Sequence, residues 1–579
     1  MELTGPDGAV AATVDTDELR LSVDSGETTV VESIDLSVGQ LFAELHGADW
    51  TAGGTVTAGE VREIDETYEM PVGKAAERRH RAVETTLTCT HPEADGDVEV
   101  DVRVATDGVA TRYRITGEGR DFFFGDFTTV RPPMDAMVWL NPLDRCHEGS
   151  GRQQPIAEAE GKYSTPGLLA VDGQWCLLGQ AGVDGDYPHA RLDCAEEGPA
   201  ITYDVPTNLM NARYPVETPW RVAIVGDLAD VVESTLVEDL VGGPDFEGPV
   251  EPGRVAWSWW SEGDSPEDFD RQREYIDYAA ERGWEYVLVD AGWQAHYDEM
   301  PALVEYASER DVGVFVWTHW TDLQAESKRE EWFAEWHDWG VSGVKIDFMD
   351  HDDQGRMAFY DSVAETAAEY DLMLNFHGSV VPSGLQRRHP NVMTYEGVYG
   401  AEWYKFKSVT PEHNCVLPFT RNVVGPMDYT PVTFSAEGRH TTAGHELALS
   451  VVFESPLQHL ADSIDSYADR PLAESFLEDV PVTWAETRLV GGHPGTEATV
   501  ARRERADDPG DAEWFLGSIT AGPRRIVTVD CGFLDGEHEA EIIRDDGEDG
   551  LATDTVTVTA GETLDVMVAR NGGFVARFE

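Results

Sequence analysis

Residues 343–349 read Gly343-Val344-Lys345-Ile346-Asp347-Phe348-Met349, a short apolar run that ends at a carboxylate. A second run, Asn391-Val-Met-Thr-Tyr-Glu396, leads into a Gly-containing polar loop that carries Glu402. Parallel-barrel enzymes place their chemistry in the loops that follow such buried strands. Glycosidases typically use a pair of carboxylates that face a sugar-sized cleft. The sequence therefore predicts Asp347 and Glu402 as a catalytic pair.

The region around these two runs alternates short apolar segments with helical ones, which predicts a parallel sheet. Eight candidate strands suit a (β/α)8 TIM barrel better than an open sheet. They are Arg254–Trp260, Tyr286–Asp290, Val312–Trp317, Val344–Asp347, Leu372–Phe376, Asn391–Glu396, Val416–Arg421 and Leu449–Glu454. Between the first two, Pro266–Ala280 shows an amphipathic helix pattern that starts at Asp264-Ser-Pro266 and places Phe269, Tyr275, Ile276 and Ala279 on one face.

The segments on both sides of this region have the period-two pattern of half-exposed antiparallel strands. Val98–Val104 and Ala110–Ile115 are examples before it, and Thr555–Thr559 is an example after it. The Gly/Pro-rich stretch Val241–Gly253 is typical of a linker. We therefore predict a multidomain α/β protein with an N-terminal β-super-sandwich (1–253), a central catalytic barrel (254–482) and a C-terminal antiparallel β-sandwich (483–579).

The composition is strongly acidic: 110 Asp and Glu residues stand against 42 Lys and Arg, a formal net charge of −68. The acidic residues are spread from end to end, which favours general halophilic solvation, of the haloarchaeal type, over an acidic tail that binds a basic partner. Nucleic acid is not expected as a partner, because phosphates would repel a chain this negative.

The six cysteines lie at wide spacings without a C-x-x-C pair, so they predict reduced core residues rather than a zinc or redox site. The start of the sequence lacks the basic and apolar regions of a signal peptide, and no stretch of about 18 apolar residues occurs. A cytoplasmic protein without a membrane partner is the expectation.

Several barrel motifs resemble those of glycoside hydrolase family 97. They are Val255–Trp260, Trp284–Trp293, Gly343–Phe348, Pro390–Glu402 and Leu417–Pro431. The resemblance implies an N-terminal β-super-sandwich, a catalytic barrel and a C-terminal β-domain. It also implies a calcium-dependent α-glycosidase, which in this family is either an inverting α-glucosidase or a retaining α-galactosidase.

Two positions place the sequence on the retaining side of that family. Asp347 occupies the fourth-strand position at which the retaining members carry their nucleophile. After the fifth strand, where the inverting members carry a glutamate base, the chain reads Phe376-His-Gly-Ser379, and Gly378 cannot act as a base. The resemblance therefore implies Asp347 as nucleophile and Glu402 as acid/base, with their carboxyl groups about 5–5.5 Å apart.

Other interpretations of these residues stay open at this stage. An Asp at a strand end is often a helix N-cap, and Asp350, Asp352 and Asp353 compete with Asp347 for the nucleophile position. An α-glucosidase with the same mechanism, or a carbohydrate-binding protein whose barrel has lost its chemistry, are the alternatives to a retaining, exo-acting α-galactosidase. The expected partner is an oligosaccharide or α-galactoside; the oligomeric state is not predicted.

The resemblance further implies a Ca²⁺ site with Glu396 and Glu402 as ligands from the barrel and Gln180 from the N-terminal domain. Oxygen donors of this kind suit a hard cation, and Cys/His clusters are absent from the sequence. Candidate substrate-binding residues are aromatic side chains near strand ends, which are either sugar platforms or core filler, and polar side chains that suit sugar hydroxyls. They are Trp260, Trp293, Trp317, Asp290, His319, Lys345, His377, Arg421 and Asp428. Lys345 or Arg421 is expected to keep Asp347 charged.

Overall fold

The computed structural model describes residues 1–123, 125, 128–194, 198–206, 210–506, 510, 512–547 and 549–579. They form a sandwich-like antiparallel sheet, a central barrel-like parallel sheet and a C-terminal antiparallel sheet, in chain order. The predicted fold class is confirmed, whereas the boundaries at 253/254 and 482/483 stay a prediction.

The N-terminal region is one extensive sheet of 18 strands. The strands are Glu2–Thr4, Val10–Asp15, Arg20–Ser25, Thr28–Asp35, Thr55–Ala58, Arg62–Glu69, Glu77–Thr90, Val98–Ala105, Gly108–Ile115, Thr129–Arg131, Met137–Pro142, Arg152–Pro155, Gly161–Val171, Gln174–Ala181, Arg191–Cys194, Ile201–Asp204, Val216–Glu217 and Trp220–Gly226. A separate pair consists of Arg120–Phe123 and Met210–Arg213, and the helices are Val38–His46, Leu228–Glu233 and Leu236–Asp239, with short 3-10 turns at Trp50–Ala52 and Ile156–Glu158. Alternate apolar residues of these strands face a shared core, as in Val98–Ala105, where all four valines are buried.

The central region contains seven parallel strands. In chain order they are Gly253–Trp257, Tyr286–Val289, Gly313–His319, Gly343–Asp347, Met373–Phe376, Val392–Tyr395 and Leu457–Leu460. Consecutive strands are neighbours, and the last pairs with the first. Within residues 210–506, all of which are described, no strand lies between Val392–Tyr395 and Leu457–Leu460; the backbone N–H of Asp428 donates to Tyr395 O there, over 2.8 Å.

Helices and 3-10 turns connect these strands. The helices are Phe269–Arg282, Met300–Ser308, Glu326–Trp339, Gln354–Glu369, Leu385–Arg388, Pro411–Asn414, Ala443–Val452, Ile464–Ala468 and Pro471–Asp479. The 3-10 turns are Ser265–Glu267, Trp293–Glu299, Trp320–Asp322, Ala401–Lys405, Leu417–Phe419 and Arg421–Val423. The first predicted helix is confirmed, with Phe269, Tyr275, Ile276 and Ala279 buried, but it begins after Asp268, whose carboxylate caps the N–H groups of Asp270 and Arg271.

Two of the eight predicted barrel strands are wrong. Val416–Arg421 forms 3-10 turns, because Pro418 cannot donate to a strand ladder. Leu449–Glu454 includes the end of helix Ala443–Val452, all ten residues of which are buried. A helix buried on every side has the same continuous apolar pattern as a buried strand. The strand that follows it, Leu457–Leu460, was missed.

The C-terminal region is a six-stranded antiparallel sheet with a two-stranded sheet beside it. The strands are Trp484–His493, Glu497–Glu504, Trp514–Thr520, Arg525–Asp530, Glu537–Asp546, Gly550–Thr559, Thr563–Val568 and Gly573–Phe578. This region packs against helix Ala443–Val452. A Cβ at Gly517 would lie 2.9 Å from Ala448 O, so glycine permits the close approach. No helix of the described residues is both long enough and apolar enough to cross a lipid bilayer.

Candidate active site

Asp347 ends the fourth barrel strand, and two donors hold its carboxylate. The indole Nε1 of Trp317 donates to Asp347 Oδ2 over 2.9 Å, and the backbone N–H of Phe348 donates to Oδ1 over 2.6 Å. Trp317 reaches Asp347 from the neighbouring strand, in which His319 pairs with Asp347 in the parallel register. The half-buried carboxylate therefore has a fixed orientation, which a nucleophile requires.

Lys345 lies two residues before Asp347 on the same face of the strand. Its Nζ is 3.1 Å from Asp290 Oδ2 and 4.5 Å from the centre of the Trp257 ring, whose Nε1 also donates to Asp290. Burial alone would lower the pKa of Lys345, but the carboxylates of Asp290, Glu402 and Asp347 hold that pKa well above its usual value. The site therefore contains a permanent buried cation.

Glu402 enters the site from the loop after strand Val392–Tyr395, and its side chain is 19% exposed. Burial raises the pKa of Glu402 to about 8; Lys345 opposes this shift, and Glu396 and Asp347 add to it. The interaction of Glu402 with both Lys345 and Asp347 places the two predicted catalytic carboxyls in one site. A carboxyl group with this pKa carries its proton at pH 7, as a general acid must.

His377 connects the loops of the fifth and sixth strands. Its Nδ1 lies 3.1 Å from Glu396 Oε2 and 3.7 Å from Glu402 Oε2, and its Nε2 lies 2.8 Å from Asp428 Oδ2. Glu396 also accepts the N–H of Gly378 over 2.7 Å. Gly378 lies where the inverting members of the resembled family carry a glutamate base. In this chain its backbone N–H is instead a donor to the Glu396 carboxylate.

Asp428 is the buried centre of a second set of hydrogen bonds. Besides His377, Asn375 Nδ2 donates to it over 2.7 Å and His459 Nδ1 lies 3.1 Å from it. Burial raises the pKa of Asp428, but His459 and His377 hold it well below its usual range. Asp428 therefore orients two imidazole rings beneath the site.

Glu148, from the N-terminal domain, reaches the same group of carboxylates and was missed from the sequence. Its Oε2 accepts the Nε1–H of Trp403, the residue after Glu402, over 2.7 Å. Burial and the charges of Glu396 and Glu402 raise the pKa of Glu148 to about 10. The available signal was its place in a polar, Gly-containing loop after strand Met137–Pro142, the same signal that indicated Glu402.

The residues present fit a hard cation. One donor atom from each of His377, Glu396 and Glu402 lies within 4.8 Å of the others, and the raised pKa of Glu148 shows that it too faces these carboxylates. Three carboxyl groups crowded in a buried site repel one another unless a proton or a cation lies between them. Oxygen donors of this kind match the preference of Ca²⁺, and His377 is the exception among them.

Gln180 does not take part in this group. Its side-chain oxygen accepts the N–H of Ala190 over 3.1 Å and Nη1 of Arg221 over 3.0 Å, and its Nε2 donates back to Ala190 O over 2.9 Å. Both lone pairs of the oxygen are used, so none is left for a metal. The structure therefore does not support Gln180 as a ligand and brings Glu148 to the cluster instead.

Arg421 also lies away from the sugar-facing side chains. Its guanidinium is buried and donates to five backbone carbonyls, those of Tyr395, Glu396, Gly397, Gly425 and Pro426. Arg421 therefore holds the loop that carries Glu396 in place. The structure supports neither of its predicted roles, a substrate contact or a cation that keeps Asp347 charged. Lys345 is the cation near Asp347.

The predicted aromatic and histidine residues lie in two environments, one buried in the core and one partly exposed. Trp260 and Trp293 are buried and donate to backbone carbonyls, to Ala401 O over 3.1 Å and to Trp317 O over 2.8 Å respectively. Trp317 and His319 are half-buried at the end of their strand. Core support is thus the observed role of Trp260 and Trp293, while Trp317 and His319 are partly exposed beside Asp347.

The competing aspartates have structural partners. Asp352 binds Arg191 through two hydrogen bonds of 2.6 Å, and Asp350 pairs with Arg145. Asp353 caps helix Gln354–Glu369. Of the four aspartates in this segment, Asp347 alone is near both Lys345 and Glu402.

Family models match all three regions of the chain. The model described as "Glycosyl-hydrolase 97 N-terminal" matches residues 3–242, "Glycoside hydrolase 97" matches residues 253–398, and "Glycosyl-hydrolase 97 C-terminal, oligomerisation" matches residues 483–579. The chain belongs to glycoside hydrolase family 97. It is therefore an enzyme that hydrolyses glycosidic bonds, as the sequence predicted.

Curated family 97 relatives extend over nearly the full length. The chain is 37% identical to the "Probable retaining alpha-galactosidase" of Streptomyces bingchenggensis over 99% of this chain and 91% of the relative. It is 28% identical to the "Retaining alpha-galactosidase" of Bacteroides thetaiotaomicron over 92% of this chain and 90% of the relative. The prediction of a retaining α-glycoside hydrolase is confirmed at this level.

Solved family 97 structures share the fold. A "beta-arabinopyranosidase" superposes with a TM-score of 0.89 at 25% identity, over the whole of both chains. A family 97 enzyme of Pseudoalteromonas sp. strain K8, in complex with acarbose, superposes equally well at 23% identity, again over the whole of both chains. The latter likeness shows the fold alone.

Proposed function

We propose that this family 97 enzyme is a retaining, exo-acting α-galactosidase in which Asp347 is the nucleophile and Glu402 the acid/base. One observation carries the proposal: two carboxyl groups in different environments meet around Lys345. Asp347 is held by the N–H donors of Trp317 and Phe348, whereas the pKa of Glu402 is raised to about 8. Double displacement needs such a pair.

In the first step, an Asp347 oxygen attacks the anomeric carbon from the face opposite the leaving group. The bond from that carbon to the glycosidic oxygen breaks, and the oxygen takes the proton of Glu402. The products are a glycosyl ester on Asp347 and the released aglycone. In the second step, Glu402 removes a proton from water, the water oxygen attacks the same carbon, and Asp347 leaves as a carboxylate.

Asp290 and Lys345 are proposed to bind hydroxyl groups of the terminal sugar. They form a buried ion pair of 3.1 Å next to the nucleophile, and such pairs bind adjacent hydroxyls as acceptor and donor. Contacts from the N-terminal domain close one side of the site, through Glu148 to Trp403 and Arg145 to Asp350. A site closed in this way suits a chain end, which supports exo-action on an oligosaccharide.

We further propose Ca²⁺ at the carboxylates of Glu148, Glu396 and Glu402. A bound divalent cation would supply positive charge that polarises groups at the leaving-group side of the site. Glu396 and His377 orient Glu402 from the protein side, and Trp403 orients Glu148. All six cysteines are free, which fits the cytoplasmic location that the sequence predicts.

The α-galactoside preference rests on the full-length relatives that carry that name. An arabinopyranoside is the second candidate, because the β-arabinopyranosidase fold matches over the whole chain at 25% identity. β-L-Arabinopyranose has the ring hydroxyls of α-D-galactose without the C6 group. Of the alternatives from the sequence, an α-glucosidase remains, whereas the family match and the full-length relatives speak against an inactive binding protein.

The test compares the nitrophenyl α-galactoside, α-glucoside and β-L-arabinopyranoside in molar salt, followed by NMR of the first-formed product. We expect fastest release from the α-galactoside and an α-configured galactose as first product. Faster release from either of the other two would reassign the sugar. A β-configured first product would contradict the double displacement, and no release from any of the three substrates would contradict the proposed substrate class.

A further inference from the structure

Two phenylalanine rings in the described part of the chain are exposed to solvent. Among the aromatic side chains whose exposure the structure describes, only Phe348 and Phe406 are exposed, by 47% and 71%; the others are buried or half-buried. Solvent-exposed phenylalanines are unusual on a surface that carries a formal charge of −68. Both are close in sequence to a catalytic carboxylate of the proposed function: Phe348 directly follows Asp347, and Phe406 lies four residues after Glu402.

Phe348 is held outward by its backbone. Its φ is +59°, in the left-handed region that a residue with a Cβ rarely adopts. The hydrogen bond from its own N–H to Asp347 Oδ1 fixes this turn. Its ring stacks on His319, with ring centres 5.2 Å apart and planes 25° apart. Backbone strain at a site of this kind is retained where it positions a functional group.

Phe406 is the outermost ring of an aromatic cluster that includes Trp403, the residue after Glu402. Its ring meets the ring of Trp403 edge-on at 5.9 Å, and Trp403 stacks on Tyr399 at 5.0 Å. Trp403 is fixed in turn by its hydrogen bond to Glu148. Phe406 thus stands at the solvent end of a packed cluster, with its own ring left uncovered.

The position of Phe406 relative to Glu402 indicates which part of a substrate would pack on the Phe406 ring. A general acid protonates the glycosidic oxygen, so the leaving group lies on the side of Glu402. Sugars have an apolar C–H face that packs on aromatic rings, and aryl groups stack on them directly. Lys405 and Lys407, on either side of Phe406, stand over the rings of Trp259 and Trp403. Two cations in a chain with six lysines provide hydrogen-bond donors for hydroxyls of the same leaving group.

We propose that Phe406 and Phe348 form the leaving-group site of this enzyme, which binds the ring of a second sugar or an aryl aglycone. The inference rests on the proposed function, because it takes Glu402 as the acid. The inference narrows the substrate class to glycosides whose leaving group is itself a ring. The same site would receive a sugar acceptor when the covalent intermediate is intercepted before water reacts.

The test uses pairs of substrates that differ only in the leaving group. Galactosyl fluoride releases an ion without a ring, whereas melibiose releases glucose and the nitrophenyl galactoside releases a phenol. For Phe406→Ala we expect kcat/KM to fall about 5- to 10-fold on the two ring-bearing substrates, the size of one aromatic contact, and to stay within about twofold on the fluoride. Phe348→Ala is expected to change in the same direction, and Phe406→Trp to restore the wild-type ratio.

Ile526→Ala is the matched control, since Ile526 is an apolar side chain, 54% exposed, in the C-terminal domain. It should leave every ratio unchanged. Equal losses on the fluoride and on melibiose, or no loss on either, would overturn the inference. If the wild type hydrolyses only glucosides, the same comparison with glucosyl fluoride and maltose applies, so the sugar assignment fails separately. A wild type inert on both fluorides removes the proposed function and the inference with it.

Discussion

A hydrogen bond of 2.9 Å joins Trp317 Nε1 to Asp347 Oδ2, across two neighbouring barrel strands. The two residues are 30 positions apart, and the parallel register brings them together. The backbone of Trp317 is held in turn, since Trp293 Nε1 donates to its carbonyl. The orientation of the proposed nucleophile is therefore set by the strand before it.

Trp317→Phe removes this donor and keeps most of the ring. A hydrogen bond to a charged group contributes about 1.5–3 kcal/mol, so we expect kcat to fall about 10- to 100-fold. Steady-state kinetics on the nitrophenyl galactoside provide the measurement. Trp332→Phe is the control, because Trp332 packs in the outer helix layer away from the site. Unchanged kcat in Trp317→Phe would show that the hydrogen bond does not position the nucleophile.

Asp347→Ala is expected to lower kcat by at least about 1,000-fold, because the covalent step is lost. Azide or formate should restore part of the activity by entering the vacated space, and azide should give a β-galactosyl product. Asp353→Ala is the matched control: it loses a helix cap, at about 1 kcal/mol of stability, and keeps its activity. Absence of both rescue and β-galactosyl azide would contradict the nucleophile assignment.

Calcium binding is expected to release protons. The metal-free pKa values of about 10 for Glu148 and about 8 for Glu402 mean that both carboxyls carry protons at pH 7. Calcium takes ionised carboxylates, so binding should release the proton of Glu148, while Glu402 keeps the proton that it donates to the leaving group. The calcium affinity should rise with pH from 7 upward. Titration calorimetry in buffers of different ionisation enthalpy measures this release.

Glu148→Gln tests the same site by substitution. It should weaken calcium binding by about 10-fold or more and lower activity at limiting calcium, because one charged ligand is lost. Glu160→Gln, an exposed change in the same domain, is the control. Equal calcium affinity in wild type and Glu148→Gln would remove Glu148 from the ligand set.

Arg421→Met tests whether this side chain supports the loops. Five buried carbonyls each lose one hydrogen bond, so we expect the free energy of unfolding to fall by about 3 kcal/mol or more. Denaturant unfolding at constant salt gives the value, with exposed Arg152→Met as the control. A large rise in KM with unchanged stability would instead indicate a substrate contact.

Stability is expected to rise with salt. At a net charge of −68, like charges repel across the surface, and the Debye length falls from about 10 Å at 0.1 M to about 3 Å at 1 M salt. The Tm should therefore increase by about 10 °C or more between 0.1 M and 2 M KCl. Sucrose at matched water activity is the control, because it is excluded from the protein surface as salt is but does not screen charges. A Tm that sucrose raises as much as KCl would contradict the halophilic interpretation.

Local pattern is sufficient to locate strand ends, which is how the sequence led to Asp347 as the proposed nucleophile. Each barrel strand is a short apolar run, and the residue after it must lie at the carboxyl edge of the sheet, as Asp347 does. Pattern was insufficient for helix Ala443–Val452, because burial on all sides removes the 3.6-residue period. Motifs in the barrel also sufficed to predict the family, which full-length matches confirmed.

By itself, the sequence determined the fold class, the family, the acidic surface and the likeness of Asp347 and Glu402 to a retaining pair. Only the tertiary structure decided which distant residues meet them: Glu148 joins the carboxylates while Gln180 does not, and Arg421 binds backbone carbonyls instead of lying beside Asp347. The reason is physical. Periodicity reports what a residue does within its own strand or loop, whereas contacts between loops of different domains depend on how whole sheets pack, and no local pattern records that.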